Sequence, residues 1–419
     1  MNWRCLTLLA ASAGIAYAAD VDSSALLARV HSKVLDNERR VPRYICRQQI
    51  ERRAYTQIGR KWLVSIHSGC GSLPQLGLLK MPGLTLATTD RAHLDVMLAG
   101  GEELFAWPGG RTFDTDDPSE LLGDGLSGAG DFASFMLSIF TLDRVTFRYQ
   151  GPCPGQSCVR YGYDVPREVS RYFVQTALSK VTLGFHGTFD VDPESADLIQ
   201  LMVNPTDISQ NIPMACDLRT RMSYTRASMK TGDFTIPKST EREYLAKDGG
   251  YSVNRVSYQG CREYTAESVL SFDGDPTSAS PKAVKAAPPL PATGSELRLR
   301  LASKIDPGVN FAGDSLEATL DRPVRDTQGG KIPAGTVFRG HLAQLEKVYF
   351  PKRQVVIAIL FDSMVINGAP LPLRLEPDGE VDERGHGVFR LAGPRSVLRK
   401  GVITHWRVAS AVPAPEGAR

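Results

Sequence analysis

KVTLGFHGTFDVD, residues 180–192, alternates apolar and polar side chains at the period of a β-strand. Val181, Leu183, Phe185 and Phe189 fall on one face; Lys180, Thr182, His186 and Thr188 fall on the other. A strand greasy on one side needs neighbours of the same kind and something to cover them. The neighbours follow at once. DLIQLMVN begins at Asp197, and DLRTRMSYTRA, from Asp217, sets Leu218, Thr220, Met222 and Tyr224 against Arg219, Arg221, Ser223 and Thr225. DFTIPKSTEREYL, VNRVSYQGCREY and TAESVLSFD complete the run to Asp273. Consecutive strands with one apolar face predict a curved antiparallel sheet covered by helices.

Upstream, SSALLARVHSKVLDNERR from Ser23 carries Leu26, Leu27, Val30, Val34 and Leu35 at helical spacing, with Ser23 or Ser24 as cap. Pro42 then forces extended chain. YICRQQIERRAY from Tyr44, RKWLVSIHS from Arg60, AHLDVMLAGGEELFAW from Ala92, RVTFRYQG and SCVRYGYDV read as strands. PSELL from Pro118 and DFASFMLSIF from Asp131 read as helices available to cover the sheet. The first residues have a secretory pattern: Arg4, a short apolar run, and small residues around Ala16–Ala19. Residues 274–294 are rich in Pro, Ala and Ser, a semi-rigid linker composition. Residues 295–412 carry β-patterned runs separated by turns such as DTQGG and NGAP. The expected organisation is a signal peptide (1–19), a curved-sheet α+β domain (20–273), a linker (274–294), a small all-β barrel or sandwich (295–412) and a tail (413–419). The fold class is mainly β with a few helices.

A formal net charge of +3 over 419 residues gives no basic excess for nucleic-acid binding. No later stretch is apolar enough to span a bilayer. After Cys5 is removed with the signal, Cys46, Cys70, Cys153, Cys158, Cys216 and Cys261 remain. An even number in an exported chain predicts disulfides, with fifteen possible pairings. Proximity in sequence favours Cys153–Cys158 across a Pro-Gly turn, then Cys46–Cys70 and Cys216–Cys261.

GDGLSGAG, residues 123–130, satisfies G-x-G-x-x-G through Gly123, Gly125 and Gly128. A dinucleotide fingerprint follows a strand inside a βαβ unit, whereas FDTDDPSELL precedes this one. The glycines are therefore expected to form a hinge or lid loop. GLSGA misses the nucleophile-elbow pattern because Ala129 replaces a glycine. DTDDPSE places Pro118 at a calcium-ligand position. The seven histidines fall in no metal-binding spacing. Neither a catalytic residue, a metal nor a cofactor is expected.

Phe185, Gly187, Phe189, Val191, Asp192, Asp197 and Leu198 make the string F-x-G-x-F-x-V-D-x-x-x-x-D-L. Asp233–Pro237 (D-F-x-I-P) and the closing Y-x-G-C-R-E-Y-x-A-E-S follow. Over residues 24 to about 273 this resembles an uncharacterised exported bacterial family whose sheet is similar to that of periplasmic lipoprotein carriers of the LolA/LolB type. The resemblance implies a half-barrel plugged by helices that holds acyl chains. KIPAGTVFRG, residues 331–340, gives the C-terminal unit a weaker resemblance to β-barrel domains of envelope secretion and conjugation proteins, which contact other proteins.

Together these point to an exported, non-catalytic cell-envelope protein, periplasmic or extracellular and peripheral to the outer membrane. Its expected ligand is a lipid or acylated protein against a wall of Val181, Leu183, Phe185, Phe189, Met222, Tyr224, Leu270 and Phe272. The alternative is a two-domain envelope scaffold that binds protein partners and no small molecule. A filled half-barrel favours the scaffold; a continuous hollow favours the carrier.

Overall fold

The computed structural model describes residues 22–57, 70, 83–99, 102–110, 112–113, 115–132, 134–176, 180–264 and 289–410. The signal-like segment, the expected strand from Arg60, most of the linker, and Leu270 and Phe272 lie outside the described residues.

The N-terminal half runs α1 (Ser23–Arg40), β1 (Tyr44–Gln57), β2 (Leu84–Ala99), β3 (Glu102–Ala106), α2 (Pro118–Leu122), α3 (Ser134–Thr141), β4 (Thr146–Pro152), β5 (Val159–Val165), β6 (Phe173–Gln175), β7 (Lys180–Thr182), β8 (Phe185–Val191), β9 (Leu198–Pro205), α4 (Ile208–Asn211), β10 (Ala215–Met229), β11 (Gly232–Ala246) and β12 (Tyr251–Glu263). Its strands pair antiparallel in the order β4-β5-β8-β9-β10-β11-β12-β1-β2-β3. The expected antiparallel sheet with a helical cover is what forms.

α1 is capped by Asp22, whose carboxylate accepts from Ser24 N at 3.1 Å and Ala25 N at 3.0 Å, so the cap precedes the serines expected to supply it. Leu26, Val30 and Val34 recur every four residues and are buried. Each contributes about 1.5–3 kcal/mol of apolar burial. Asn37 of α1 fixes the helix to the sheet through both its amide atoms: Oδ1 accepts from Thr235 N at 2.8 Å, and Nδ2 donates to Thr235 O at 3.1 Å. A side-chain amide thereby imitates a neighbouring strand at the exposed end of the β10–β11 hairpin.

The 180–192 stretch is broken, not continuous. Gly184 separates β7, which pairs with β6 in a small hairpin, from β8 in the main sheet. In β8 an added Cβ at Gly187 would lie 1.8 Å from the Met202 carbonyl oxygen, so glycine alone permits that approach to β9.

The C-terminal half comprises β13 (Glu296–Leu301), β14 (Ser315–Leu320), β15 (Val324–Arg325), β16 (Lys331–Ile332), β17 (Val337–Val348), β18 (Gln354–Ile366), β19 (Ala369–Pro372), β20 (Arg374–Pro377), β21 (Gly387–Ala392) and β22 (Ile403–Ser410). The main ladder runs β20-β22-β13-β14-β17-β18, and β19 and β21 share the far edge of β18. Leu373 N donates to Asp362 O, so the sheet curls back on itself without closing a continuous barrel ladder. Trp406, Phe361, Phe338 and Leu299 fill its own core.

The two halves share hydrogen bonds. Glu346, Lys347 and Val348 of β17 pair with Asp90, Thr89 and Thr88 of β2. Ala312 exchanges backbone bonds with Arg91 and His93, and Arg384 Nη1 donates to Leu121 O at 2.5 Å. The ladder therefore passes from one half to the other directly.

The cysteines pair as Cys46–Cys261, Cys70–Cys216 and Cys153–Cys158. Only the last agrees with sequence proximity; the expected Cys46–Cys70 and Cys216–Cys261 pairings are replaced. The reason is strand order. β12, the last strand of the N-terminal half, inserts beside β1, so Cys46 meets a partner 215 residues away. Three disulfides accord with folding in an oxidising compartment. Among the described residues, no helix is long and apolar enough to cross a membrane.

Candidate functional site

Cross-strand partners in an antiparallel sheet point to the same face, so the register sorts the helix-facing side into rows. One row is apolar apart from Thr240: Ile50, Val256, Thr240, Met222, Leu201, Phe189 and Tyr161 on successive strands. α1 and α3 press onto it with Leu26, Phe135, Met136, Ile139 and Phe140. Phe189 is fully buried, stacked on Tyr161 at 5.3 Å and edge-on to Phe140 at 5.4 Å.

Of the expected ligand wall, Phe185, Phe189, Met222 and Tyr224 share this cluster. Val181 and Leu183 belong to another, with Ile208, Ile212 and Leu218 around α4. The bend at Gly184 parts them. A hollow of about 10 Å³ lies at the seam of α1 and β9, near Val34, Met136 and Leu198. That is room for about one water molecule.

The neighbouring row on the same face is polar. Glu346, Asp90, Arg52, Asn254, Arg242 and Thr220 stand opposite one another on β17, β2, β1, β12, β11 and β10. Arg52, Asn254, Arg242 and Thr220 are buried. Arg52 grips Asp90 with Nε at 2.9 Å from Oδ1 and Nη2 at 2.5 Å from Oδ2. Arg242 Nη2 lies 2.5 Å from Asp131 Oδ1, both side chains being almost wholly buried.

The glycine-rich loop 123–130 lies along this row. Arg52 Nη2 donates to Leu122 O at 3.0 Å, and Asn254 Nδ2 donates to Leu126 O at 2.8 Å. An added Cβ on Gly125 would sit 3.0 Å from Arg52 Nη1, and one on Gly128 would sit 2.7 Å from Arg242 Cζ. The glycines are needed because the backbone lies directly on two guanidinium groups. Gly125 also has φ +122°, where other residues are strained.

The loop ends on Glu103, whose carboxylate accepts from Gly130 N and Phe132 N, each at 2.8 Å, and from Ser134 N at 3.4 Å. A carboxylate from β3 thus occupies the start of α3, where an anion is favoured. Gly130 N and the first amides leading into α3 are thus taken by Glu103, and Arg52 and Arg242 beneath the loop are already paired with Asp90 and Asp131.

Two buried acids, Glu103 and Asp131, accompany Arg242. Burial, reinforced by the Glu103 charge and opposed by Arg242, lifts the Asp131 carboxyl to about 7. Burial and the adjacent Asp90 raise Glu346 as well. Burial also raises the phenols of Tyr44, Tyr172, Tyr224 and Tyr258 around the same centre. The arrangement can take up a proton near neutrality and can pin the loop and α3 to the sheet.

None of this polar row figured among the residues expected from sequence. A signal existed: Arg52 in QQIERRAY, Asn254 in VNRV and Arg242 in TEREYL occupy the inward phase of their strands. Each looks like an ordinary surface residue until the register brings them together.

No family model and no curated protein matches the chain. Among solved structures it is similar to the crystal structure of a DUF1329 family protein from Desulfovibrio piger ATCC 29098, with a TM-score of 0.20 and 11% identity over 57% of this chain and 93% of that one. At that score the fold rests on the strand pairings themselves, and the likeness to lipoprotein carriers remains a reading of the sequence.

Proposed function

We propose that the protein is an exported, non-catalytic envelope scaffold that works through its surfaces and holds no small molecule in its half-barrel. The observation that carries this reading is that, among the described residues, α1 and α3 pack Leu26, Phe135, Met136, Ile139 and Phe140 onto the apolar face, with a hollow of about 10 Å³ between α1 and β9. Ligand pockets occupy about 300–1,000 Å³. The ladder shared by β2 and β17 supports it too, because it holds two β-rich units in a fixed relation suited to presenting partners with one surface.

One observation favours the carrier reading as a second. α3 has eight residues, and the loop before it has glycines at 123, 125, 128 and 130. Lifting α3 would vacate the places of Phe135, Met136, Ile139 and Phe140 and expose an apolar trough for an acyl chain. Native mass spectrometry and solvent extraction of the purified protein decide between the two. The scaffold reading expects no stoichiometric lipid. A retained acyl lipid, released with α3 displacement, overturns it in favour of the carrier.

A further inference from the structure

The solvent side of the same sheet is not a uniform polar face. Its register produces two contrasting rows. In the first, Gln200, Ser223, Ser239, Ser257, Gln49 and His93 stand side by side on β9, β10, β11, β12, β1 and β2. In the second, Arg221, Glu241, Arg255, Glu51 and Arg91 alternate in sign on β10, β11, β12, β1 and β2.

Three consecutive serines leave a low floor, and the long charged side chains raise a wall beside it. The result is a hollow of about 400 Å³, within the usual size range of binding sites. From Ser223 to Gln49 it crosses three strand spacings, about 14 Å. Arg255 Nε lies 2.6 Å from Glu241 Oε2 and Arg221 Nη1 lies 3.7 Å from Glu241 Oε1, which holds the wall upright. The Ser223 and Ser239 hydroxyls lie 2.7 Å apart. At the β2 end, His93 stacks on Phe311 of the C-terminal half at 4.0 Å, so the second unit buttresses the row.

We propose that this trough binds a linear, uncharged polysaccharide rich in hydroxyl and amide groups, lying across the strands. The inference rests on the scaffold reading and names the chemistry of one partner. The floor consists of hydroxyls and carboxamides, each of which both donates and accepts, and these suit ligands of the same dual character. Two acids, Glu51 and Glu241, balance two bases, Arg221 and Arg255, around the hollow, so its lining carries no net charge that would select a charged ligand. With acids and bases balanced, the lining lacks the basic excess that a nucleic-acid or anionic-lipid partner would need. An extended peptide gains affinity from backbone bonds at a sheet edge. Here the ladder already uses the backbone groups on four adjacent strands, and only side chains remain to recognise a ligand.

Titration of the full chain with the hexamer of β-1,4-linked N-acetylglucosamine, followed by calorimetry and backbone NMR, tests this. Saturable binding is expected, with shifts confined to β10, β11, β12 and β1. S239W, which fills the floor from an outward position, is expected to weaken binding by about tenfold or more, or about 1.4 kcal/mol. E241Q loosens the wall without adding bulk and is expected to weaken it about threefold. R148A, on the distant edge strand β4, leaves it unchanged. Absence of saturable binding at millimolar hexamer, equal affinity of both trough variants, or displacement of the hexamer by an unstructured peptide overturns the proposal. Lipid extraction reads the scaffold claim separately: a lipid-free protein that ignores the hexamer loses only the polysaccharide inference, and a lipid-loaded one that binds it loses only the scaffold reading.

Discussion

Replacing Asp131 with Asn should flatten the dependence of stability on pH between about pH 5 and about pH 8. In the native protein the Asp131 carboxyl is lifted from 3.8 to about 7, first by burial and then by the Glu103 charge, against the pull of Arg242. A group whose native pKa exceeds its unfolded value binds a proton more tightly when folded. Its contribution to stability is therefore complete below the unfolded value and is lost as pH rises through the native value. The full span corresponds to about 4 kcal/mol, and the part falling between about pH 5 and about pH 8 is about 2–3 kcal/mol. Glu346 is raised and acts in the same direction. His386, lowered by burial, acts oppositely and gains stability as pH rises. Both are present in wild type and variant, so the difference between the two isolates Asp131. The assay is urea unfolding at several pH values with the disulfides intact. Wild type should lose about 2–3 kcal/mol more than D131N across the window. At low pH, where the native Asp131 carboxyl is protonated, D131N should lie close to wild type, because the neutral amide stands in for a neutral acid. Parallel pH profiles for the two proteins would refute the assignment of a near-neutral proton to this centre.

Three further substitutions probe other links. G128A places a Cβ 2.7 Å from Arg242 Cζ and should cost about 2–4 kcal/mol in urea unfolding by lifting the loop from its ion pair. G187A meets the Met202 carbonyl oxygen at 1.8 Å and should cost about 3 kcal/mol or more, read as a lowered unfolding midpoint with β8–β9 amides exchanging first. The C46A/C261A pair opens a bridge spanning 215 residues, worth up to about 5 kcal/mol in the chain-entropy model, and should lower the denaturant midpoint accordingly.

What was legible in the sequence was whatever depends on alternation within one strand. Phe185, Phe189, Met222 and Tyr224 announce an inward face, and they are buried together. What was not legible depends on which strand lies beside which. β12 returns to pair with β1, and that single placement decides three things at once. It sends Cys46 to Cys261 instead of Cys70. It brings Asn254 between Arg52 and Arg242, completing the polar row under the glycine loop. On the opposite face it sets Ser257 between Gln49 and Ser239, completing the trough. No local pattern in VNRVSYQGCREY encodes these neighbours; they follow from a long-range pairing whose partners lie some two hundred residues apart. What the glycine motif approaches was hidden for a related reason. G-x-G-x-x-G records only that a backbone must come close to something bulky or charged. In a nucleotide site the something is a phosphate. Here it is the protein's own Arg52 and Arg242, and the anion at the start of the following helix is its own Glu103. The same chemistry that elsewhere recognises a ligand is here turned inward, so that the loop serves to fasten α3 to the sheet over the buried arginines.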